Sequence, residues 1–99
     1  MKGPGPTARD RRRRREKRER LYKVVCAEVD RRDGPQCRAC KGWVGAAAHH
    51  HHITYRSHGG LHRADNLVTL CPRCHDLVHR RRLLVIGTAA ETVEFEVAE

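Results

Sequence analysis

The chain has 99 residues with 21 Lys or Arg against 12 Asp or Glu, which gives a formal net charge of +9. This length predicts one domain. The hydrophobic share of 38% is lower than in most globular domains, so we expect a metal ion or another cross-link to supplement a small core. No apolar run is long enough to span a membrane, and the N-terminus lacks the apolar segment of a secretory signal. These features predict an intracellular protein without a membrane segment.

The positive charge is concentrated in two runs of arginine. Phosphate groups attract such clusters, because binding releases counterions condensed on the nucleic acid. A polyanionic partner, nucleic acid first, is therefore expected. The alternative is that the basic residues only keep the chain soluble, which fits dispersed charge better than clustered charge. The two runs are Arg11, Arg12, Arg13, Arg14 and Arg15, and Arg80, Arg81 and Arg82.

A flexible tail followed by a long helix is predicted for the first third of the chain. Residues 1–10 contain Gly and Pro without periodicity, which is typical of a tail. Residues 11–32 have a helical composition, and Asp33, Gly34 and Pro35 end the pattern. Apolar residues at helical spacing predict the face that packs on the core. They are Leu21, Val24, Val25 and Val29.

The remaining predicted elements are short. Residues 54–65 indicate a loop, followed by a strand at Leu67–Leu70 and a brief helix over residues 75–81. Two apolar runs, Leu83–Ile86 and residues 93–97, are expected to pair as a C-terminal β-hairpin, because the second alternates apolar and charged residues. Residues 11–99 are thus expected to form a single domain.

Four of the five cysteines form two C-x-x-C pairs. A two-residue spacer lets both thiolates of a pair bind one ion, and two pairs complete a tetrahedral site that suits Zn²⁺. Disulfides are the alternative, but they need an oxidising compartment and would leave one cysteine over. Such a zinc site is structural, because no coordination position remains for water. The four are Cys37, Cys40, Cys71 and Cys74, and the fifth, Cys26, is predicted to be a small core residue.

Histidines provide a second candidate metal site. Four are consecutive, from His49 to His52, inside the segment that the two cysteine pairs enclose. His75 directly follows the last cysteine, and His79 lies one helical turn later. The alternative is an adventitious metal-binding cluster on the surface.

Taken in order, these motifs resemble the HNH endonuclease family. The resembling stretch contains C-x-x-C, H-H-I, G-G, N-L-V-T-L-C-P-x-C-H and a last histidine, His79, within residues 36–79. The resemblance implies an α+β fold with a ββα-metal core at about residues 36–82, braced by the four-cysteine zinc site. The predicted basic N-terminal helix and C-terminal β-hairpin flank that core.

The resemblance also implies a role for each matching residue. His52 corresponds to the general base, and Asn66 to the residue that orients it through nearby backbone. His51 and His75 correspond to ligands of a catalytic divalent metal, and His79 to a further ligand found in the colicin-type DNase branch. A slip of one residue along the histidine run, with His51 as base and His50 as ligand, remains open, and His49 has no role in the family.

The expected activity is hydrolysis of DNA phosphodiester bonds by a nicking endonuclease that leaves 5′-phosphate and 3′-hydroxyl ends. Imidazole accepts a proton near neutral pH, and a cation neutralises charge that develops on the phosphate. Imidazole ligands favour Zn²⁺, Ni²⁺, Co²⁺ or Mn²⁺ over Mg²⁺. Residues expected to contact the duplex backbone, with weak sequence preference, are Arg11, Arg12, Arg13, Arg14, Arg15, Arg56 and Arg73.

Two other functions remain open at this point. One is a non-catalytic zinc-ribbon module that binds nucleic acid through the arginine-rich helix. The other is a histidine-rich protein that handles metal ions. The family occurs in bacterial and phage settings, so a cytoplasmic location is expected, either alone, as a homodimer or in a larger complex.

Overall fold

The computed structural model describes residues 3–99. Two helices and two small antiparallel sheets follow one another along the chain. They are α1 (Ala8–Asp33), β1 (His49–His52), β2 (Leu67–Leu70), α2 (Pro72–His79), β3 (Leu83–Ile86) and β4 (Glu94–Val97). This α+β architecture confirms the predicted fold class, including the long basic helix and the C-terminal hairpin. Within these residues, no helix has the length and apolar content that a membrane crossing requires.

The central hairpin consists of β1 and β2, with His49 opposite Leu70 and His52 opposite Leu67. All four residues of β2 are fully buried, because the hairpin is covered on both faces. On one face Leu67 packs with Val25 and Val29 of α1. On the other face Val68 and Leu70 join a core that includes α2 and the second hairpin. Successive side chains of β2 therefore point to opposite faces of the hairpin, and both faces are packed.

Helix α1 begins earlier than its composition predicts. Thr7 accepts a hydrogen bond from the backbone N–H of Asp10, and the Asp10 carboxylate accepts one from the N–H of Thr7. This capping box starts the helix at Ala8, so residues 8–10 are helical and do not belong to the predicted tail. The C-terminal boundary is within one residue of the prediction, with Gly34 at a φ of 68°.

Two of the four residues predicted to form the apolar face of α1 are not buried, so this part of the prediction is wrong. Leu21 and Val24 are 53% and 65% exposed, whereas Val25 and Val29 are buried. Cys26, predicted to be a core residue, is only half-buried. Helical periodicity identifies a stripe but not where the core beneath it ends. Here the core ends at the last two turns, so the first half of α1 projects as an exposed arm.

Helix α2 is displaced toward the N-terminus from its predicted position. The Sγ of Cys71 accepts a hydrogen bond from the N–H of Cys74, and Pro72 occupies the first turn. Proline is well suited to that position because its missing N–H has no partner in the first turn. The helix ends at His79, and Arg81 adopts a φ of 58°, which ends the predicted extension to residue 81.

Asp33 anchors α1 to the rest of the fold. Its side chain is 2% exposed and accepts hydrogen bonds from Arg32, from Arg38 and from the backbone N–H of Thr69 on β2. Burial alone would raise the pKa of Asp33, but the hydrogen bonds from Arg32 and Thr69 outweigh it and lower the pKa. The anchor fixes the end of α1 beside β2 and the first cysteine pair.

Candidate metal and active site

The histidine run occupies β1, so its members alternate between the two faces of the hairpin. The rings of His51 and His75 lie 5.3 Å apart between centroids, on the α2 side. His50 lies on the α1 side, where its Nε2 is 2.7 Å from a carboxylate oxygen of Asp30. The geometry therefore brings His51, rather than His50, to the histidines of α2.

Three histidines converge beside α2. Ligand-capable nitrogens of His51, His75 and His79 all lie within 4.8 Å of one another, and the Nε2 atoms of His75 and His79 are 3.0 Å apart. His51 is 3% exposed, whereas the two helix residues are more open to solvent. Three imidazoles are a suitable donor set for one divalent ion and leave coordination positions free.

The surroundings favour the neutral form of the His51 and His75 imidazoles. Burial, followed by the neighbouring histidines, lowers the pKa of His51 to about 4. The pKa of His75 is lowered as well, first by burial and then by His79 and His49. Neutral imidazole carries the lone pair that a metal ion needs, so His51 and His75 present their nitrogens in the binding form at neutral pH.

Two further aromatic side chains adjoin this group. The Nδ1 of His49 is 2.8 Å from the Nδ1 of His75, although nothing in the motif indicates a role for His49. Tyr55 covers the opposite side, with its ring centroid 5.8 Å from that of His51 and 6.2 Å from that of His79. The sequence could have indicated this position for His49, because residues two apart in a strand lie on the same face and His49 therefore shares a face with His51.

His52 lies at the edge of the same cleft. A cavity of about 190 Å³ is lined by His51, His52, Arg56, His75 and His79, among others. His52 therefore borders the space beside the three converging histidines, while its ring also packs against Tyr22 of α1. Burial lowers the pKa of His52, with smaller effects of His62 and Arg56.

Contacts from α1 and the following loop hold the His52 ring. Tyr22 stacks on it with the ring planes 10° apart, and the Nε2 of His52 shares a hydrogen bond of 3.0 Å with the Nδ1 of His62. His62 is half-buried at this contact. Both contacts join segments distant in sequence, which is why no local pattern indicates them.

Asn66 joins the two ends of the loop between β1 and β2. Its side-chain oxygen accepts a hydrogen bond from the N–H of Thr54, and its amide donates to the carbonyls of Thr54 and Leu61. Inside this loop Gly60 lies so close to Thr54 that an added Cβ would be 1.8 Å from its carbonyl oxygen. The loop that follows His52 is therefore tightly folded.

The four predicted cysteines converge at a separate point. Their sulfurs lie within 4.8 Å of one another, and none of the five cysteines forms a disulfide. Backbone N–H groups of Cys40, Gly42 and Cys74 donate hydrogen bonds to the sulfurs. Four thiolates in this arrangement could form a zinc site with no position left for water.

The thiol environment supports at least one thiolate. Burial would raise the pKa of Cys37, but backbone N–H groups, led by that of Cys40, lower it to about 7. Burial and hydrogen bonding with the other thiols raise the pKa of Cys74. Because a metal ion binds thiolates, its binding to these four cysteines would release the protons that the thiols still carry.

The arginines predicted to contact nucleic acid lie at three places. Arg11, Arg12, Arg13, Arg14 and Arg15 are fully helical and exposed on the first half of α1. Arg56 lines the cleft beside His52. Arg73 is exposed on the first turn of α2, next to Cys74.

Comparison with known proteins agrees with the geometry. A family model described as HNH endonuclease matches residues 37–81, a span that contains both donor clusters, His52 and Asn66. The chain is also 32% identical over 71 residues to Anaredoxin of Nostoc sp., which covers 71% of this chain and 91% of that protein. No solved structure gives a significant match. This chain belongs to the HNH endonuclease family.

Proposed function

We propose that this protein is a metal-dependent endonuclease that hydrolyses phosphodiester bonds of DNA. A single site cuts one strand at a time, leaving a 5′-phosphate and a 3′-hydroxyl. The observation that carries the proposal is that His52 shares one cleft with three converging histidines. A protein that only binds nucleic acid has no need of that arrangement.

The two donor clusters bind different ions, one structural and one catalytic. The four cysteines hold a structural Zn²⁺, since thiolates suit that ion and fill its coordination sphere. His51, His75 and His79 hold one divalent cation, with Zn²⁺, Ni²⁺, Co²⁺ or Mn²⁺ preferred to Mg²⁺. When bound, that cation neutralises the charge that grows on the scissile phosphate and on the departing 3′ oxygen.

The chain's own residues supply the proton transfer and the positioning. His52 accepts a proton from the attacking water at a ring nitrogen, which its lowered pKa keeps unprotonated near neutral pH. Asn66 positions His52, because its hydrogen bonds to Thr54 fix the backbone two residues further along. Tyr22 and His62 restrict rotation of the His52 ring from the α1 side.

Duplex DNA is the proposed partner. The arginines of α1, with Arg56 and Arg73, would bind phosphates rather than base edges, so sequence preference is expected to be weak. Affinity should then fall steeply as salt rises, because each phosphate contact releases counterions. Cleavage of both strands would require a homodimer or two separate events.

The test is nicking of supercoiled plasmid by wild type, His52→Ala and His58→Ala across a panel of divalent metals. We expect His52→Ala to lose about 100-fold or more in rate, with folding and DNA affinity unchanged. His58→Ala, the control, removes an exposed loop histidine and should nick like wild type. Activation by Mg²⁺ alone would contradict the imidazole ligand set.

The same assay decides the alternative function. Unchanged nicking by His52→Ala would mean that a contaminating nuclease is responsible. The exposed arginine arm would then support a zinc-ribbon module that binds nucleic acid without cutting it.

A further inference from the structure

The first half of α1 is a strongly basic arm. Residues 8–21 are all exposed, and this stretch has nine Lys or Arg against three Asp or Glu. One ion pair is formed within it, between Arg12 and Glu16 at 3.7 Å. A helix with so little packing and so much unpaired charge is suited to a polyanion, but charge alone does not say which of its faces is used.

A cleft marks the face of the arm that meets the active site. This cleft has a volume of about 400 Å³ and lies between α1 and the loop after β1. Its lining consists of Arg15, Arg18, Glu19, Tyr22, His52, Arg56 and His62. His52 and Arg56 also line the smaller cavity beside the three converging histidines. The two spaces therefore meet at the proposed base.

The charge in this cleft is unbalanced. Arg15, Arg18 and Arg56 make no ion pair within residues 3–99, and Glu19 is the one carboxylate in the lining. The stacked rings of Tyr22 and His52 form one wall. Three free guanidiniums around a narrow cleft with an aromatic wall suit a chain of phosphates and sugars.

Helical geometry extends this cleft along the arm. Arg11, Arg15, Arg18 and Tyr22 are spaced by four, three and four residues, which places them on one face. A second groove further along the arm shares Arg11 and Arg15 with this face, and Ala8, Arg9 and Arg12 complete its lining. The line from Arg11 to Arg18 rises about 10 Å, roughly the axial rise of three phosphates in one strand.

We propose that the face of α1 carrying Arg11, Arg15 and Arg18 forms, together with Arg56, a channel for the backbone of the strand that is cut. The channel leads that strand to His52. The inference rests on the proposed function and specifies how the substrate enters the site. It assigns Arg18, which the family motifs do not include, to substrate binding. Arginines on the other face of α1 contribute only general attraction.

Two double variants with equal loss of charge test the channel. Arg15→Gln/Arg18→Gln removes two cleft-facing charges, and Arg13→Gln/Arg20→Gln removes two from the opposite face of the same arm. Glutamine keeps similar length and helix propensity. We expect the cleft pair to weaken binding of a fluorescent 20-base-pair DNA duplex about 10-fold more than the opposite pair does, measured on protein whose cysteine cluster is loaded with zinc and with no other divalent metal added. It should also reduce the slope of log affinity against log salt by about 2, one unit for each lost contact.

A second measurement tests the link to the reaction. In plasmid nicking, the cleft pair and Arg56→Gln should each raise KM about 10-fold, while Arg63→Gln, an exposed residue of the same loop, should not. Equal effects of the two double variants on binding would overturn the channel and leave only general attraction. Because binding is measured without cleavage, this outcome is separable from failure of the nuclease proposal, which unchanged nicking by His52→Ala would indicate.

Discussion

The two donor clusters use the same helix in opposite ways. The four-cysteine cluster caps the start of α2 through Cys71 and Cys74, whereas the histidine cluster lies along its body through His75 and His79. Four thiolates could close the coordination sphere of one ion, and three of the four sulfurs accept hydrogen bonds from backbone N–H groups. Three imidazoles border an open cleft of about 190 Å³. In the proposed function, the cysteine cluster (the closed cluster) braces the helix that carries the histidine cluster (the open cluster), so we expect effects on stability and effects on chemistry to be separable.

Disrupting the cysteine cluster should have the largest effect of the variants considered, and the effect should be on folding stability. Cys74→Ser removes one of four thiolates, and a structural zinc site can supply on the order of 10 kcal/mol of folding free energy, which exceeds what so small a core provides. We expect loss of cooperative unfolding by circular dichroism, and the same after chelation of wild type. Cys26→Ser, which lies outside the cluster, should change stability by about 1 kcal/mol or less. A Cys74→Ser variant that melts like wild type would contradict a bracing role.

Breaking the open cluster should remove activity and leave the fold. His75→Ala takes away one of three donors, and the expected loss in plasmid nicking is about 100-fold or more, since a bound cation supplies several kcal/mol of transition-state stabilisation. Thermal unfolding should stay close to that of wild type because His75 is only half-buried. If His75→Ala unfolded as Cys74→Ser does, the separation between the two clusters would be wrong.

The Asp33 anchor joins distant segments without a metal ion. Its loss should destabilise the fold less than loss of the cysteine cluster and more than loss of the histidine cluster. Asp33→Asn leaves Arg32 and Arg38 beside a neutral amide in a site that is 2% exposed, which should cost about 3 kcal/mol in the free energy of unfolding. Asp65→Asn is the control, because its pairing with Arg63 is solvent-exposed and worth less than about 1 kcal/mol. Equal stability of the two variants would exclude Asp33 as an anchor.

Asp33 should also make the stability of the fold depend on pH, with its contribution lost in acid. The pKa of Asp33 is lowered in the folded state from its ordinary value of 3.8. Its contribution is therefore complete above that value and declines as the pH falls below it, because the unfolded chain takes up the proton first. The stability difference between wild type and Asp33→Asn, measured by urea unfolding, should shrink over that acidic range and stay constant above about pH 5.

Local patterns in the sequence predicted the parts of the fold that depend on neighbours in the chain. The C-x-x-C turns, the strand Leu67–Leu70 and the alternating terminal hairpin each follow from short-range geometry, and the structure has all of them. The start of α1 at Ala8 was also readable, since Thr7 and Asp10 have the spacing of a capping box. Composition alone placed that start too late.

Contacts between distant segments could not be predicted in this way. The Asp33 anchor joins α1 to Thr69, and the Tyr22 contact joins α1 to His52. Each depends on how α1 crosses the central hairpin, which the periodicity of one helix does not encode. The same reason explains why Leu21 was expected to be buried and is exposed.

The smallest predicted effect concerns support for the open cluster. Backbone N–H groups support the cysteines, and His49 offers the corresponding support to His75, with their Nδ1 atoms 2.8 Å apart. A hydrogen bond to the outer nitrogen of a metal-binding imidazole fixes its orientation and typically improves metal affinity 10- to 100-fold. His49→Ala should therefore weaken metal binding by about 10-fold, measured by titration of Ni²⁺ into protein whose cysteine cluster is already loaded with zinc.

The neighbouring histidine provides the matched control. His50→Ala removes the same ring from the other face of β1, where it contacts Asp30, so Ni²⁺ affinity should stay at the wild-type level. His49→Gln should recover part of the affinity, since an amide also accepts a hydrogen bond. Equal losses in His49→Ala and His50→Ala would mean that the strand's overall histidine content, rather than the contact with His75, governs metal binding. The open cluster would then lack the outer support that the closed one has.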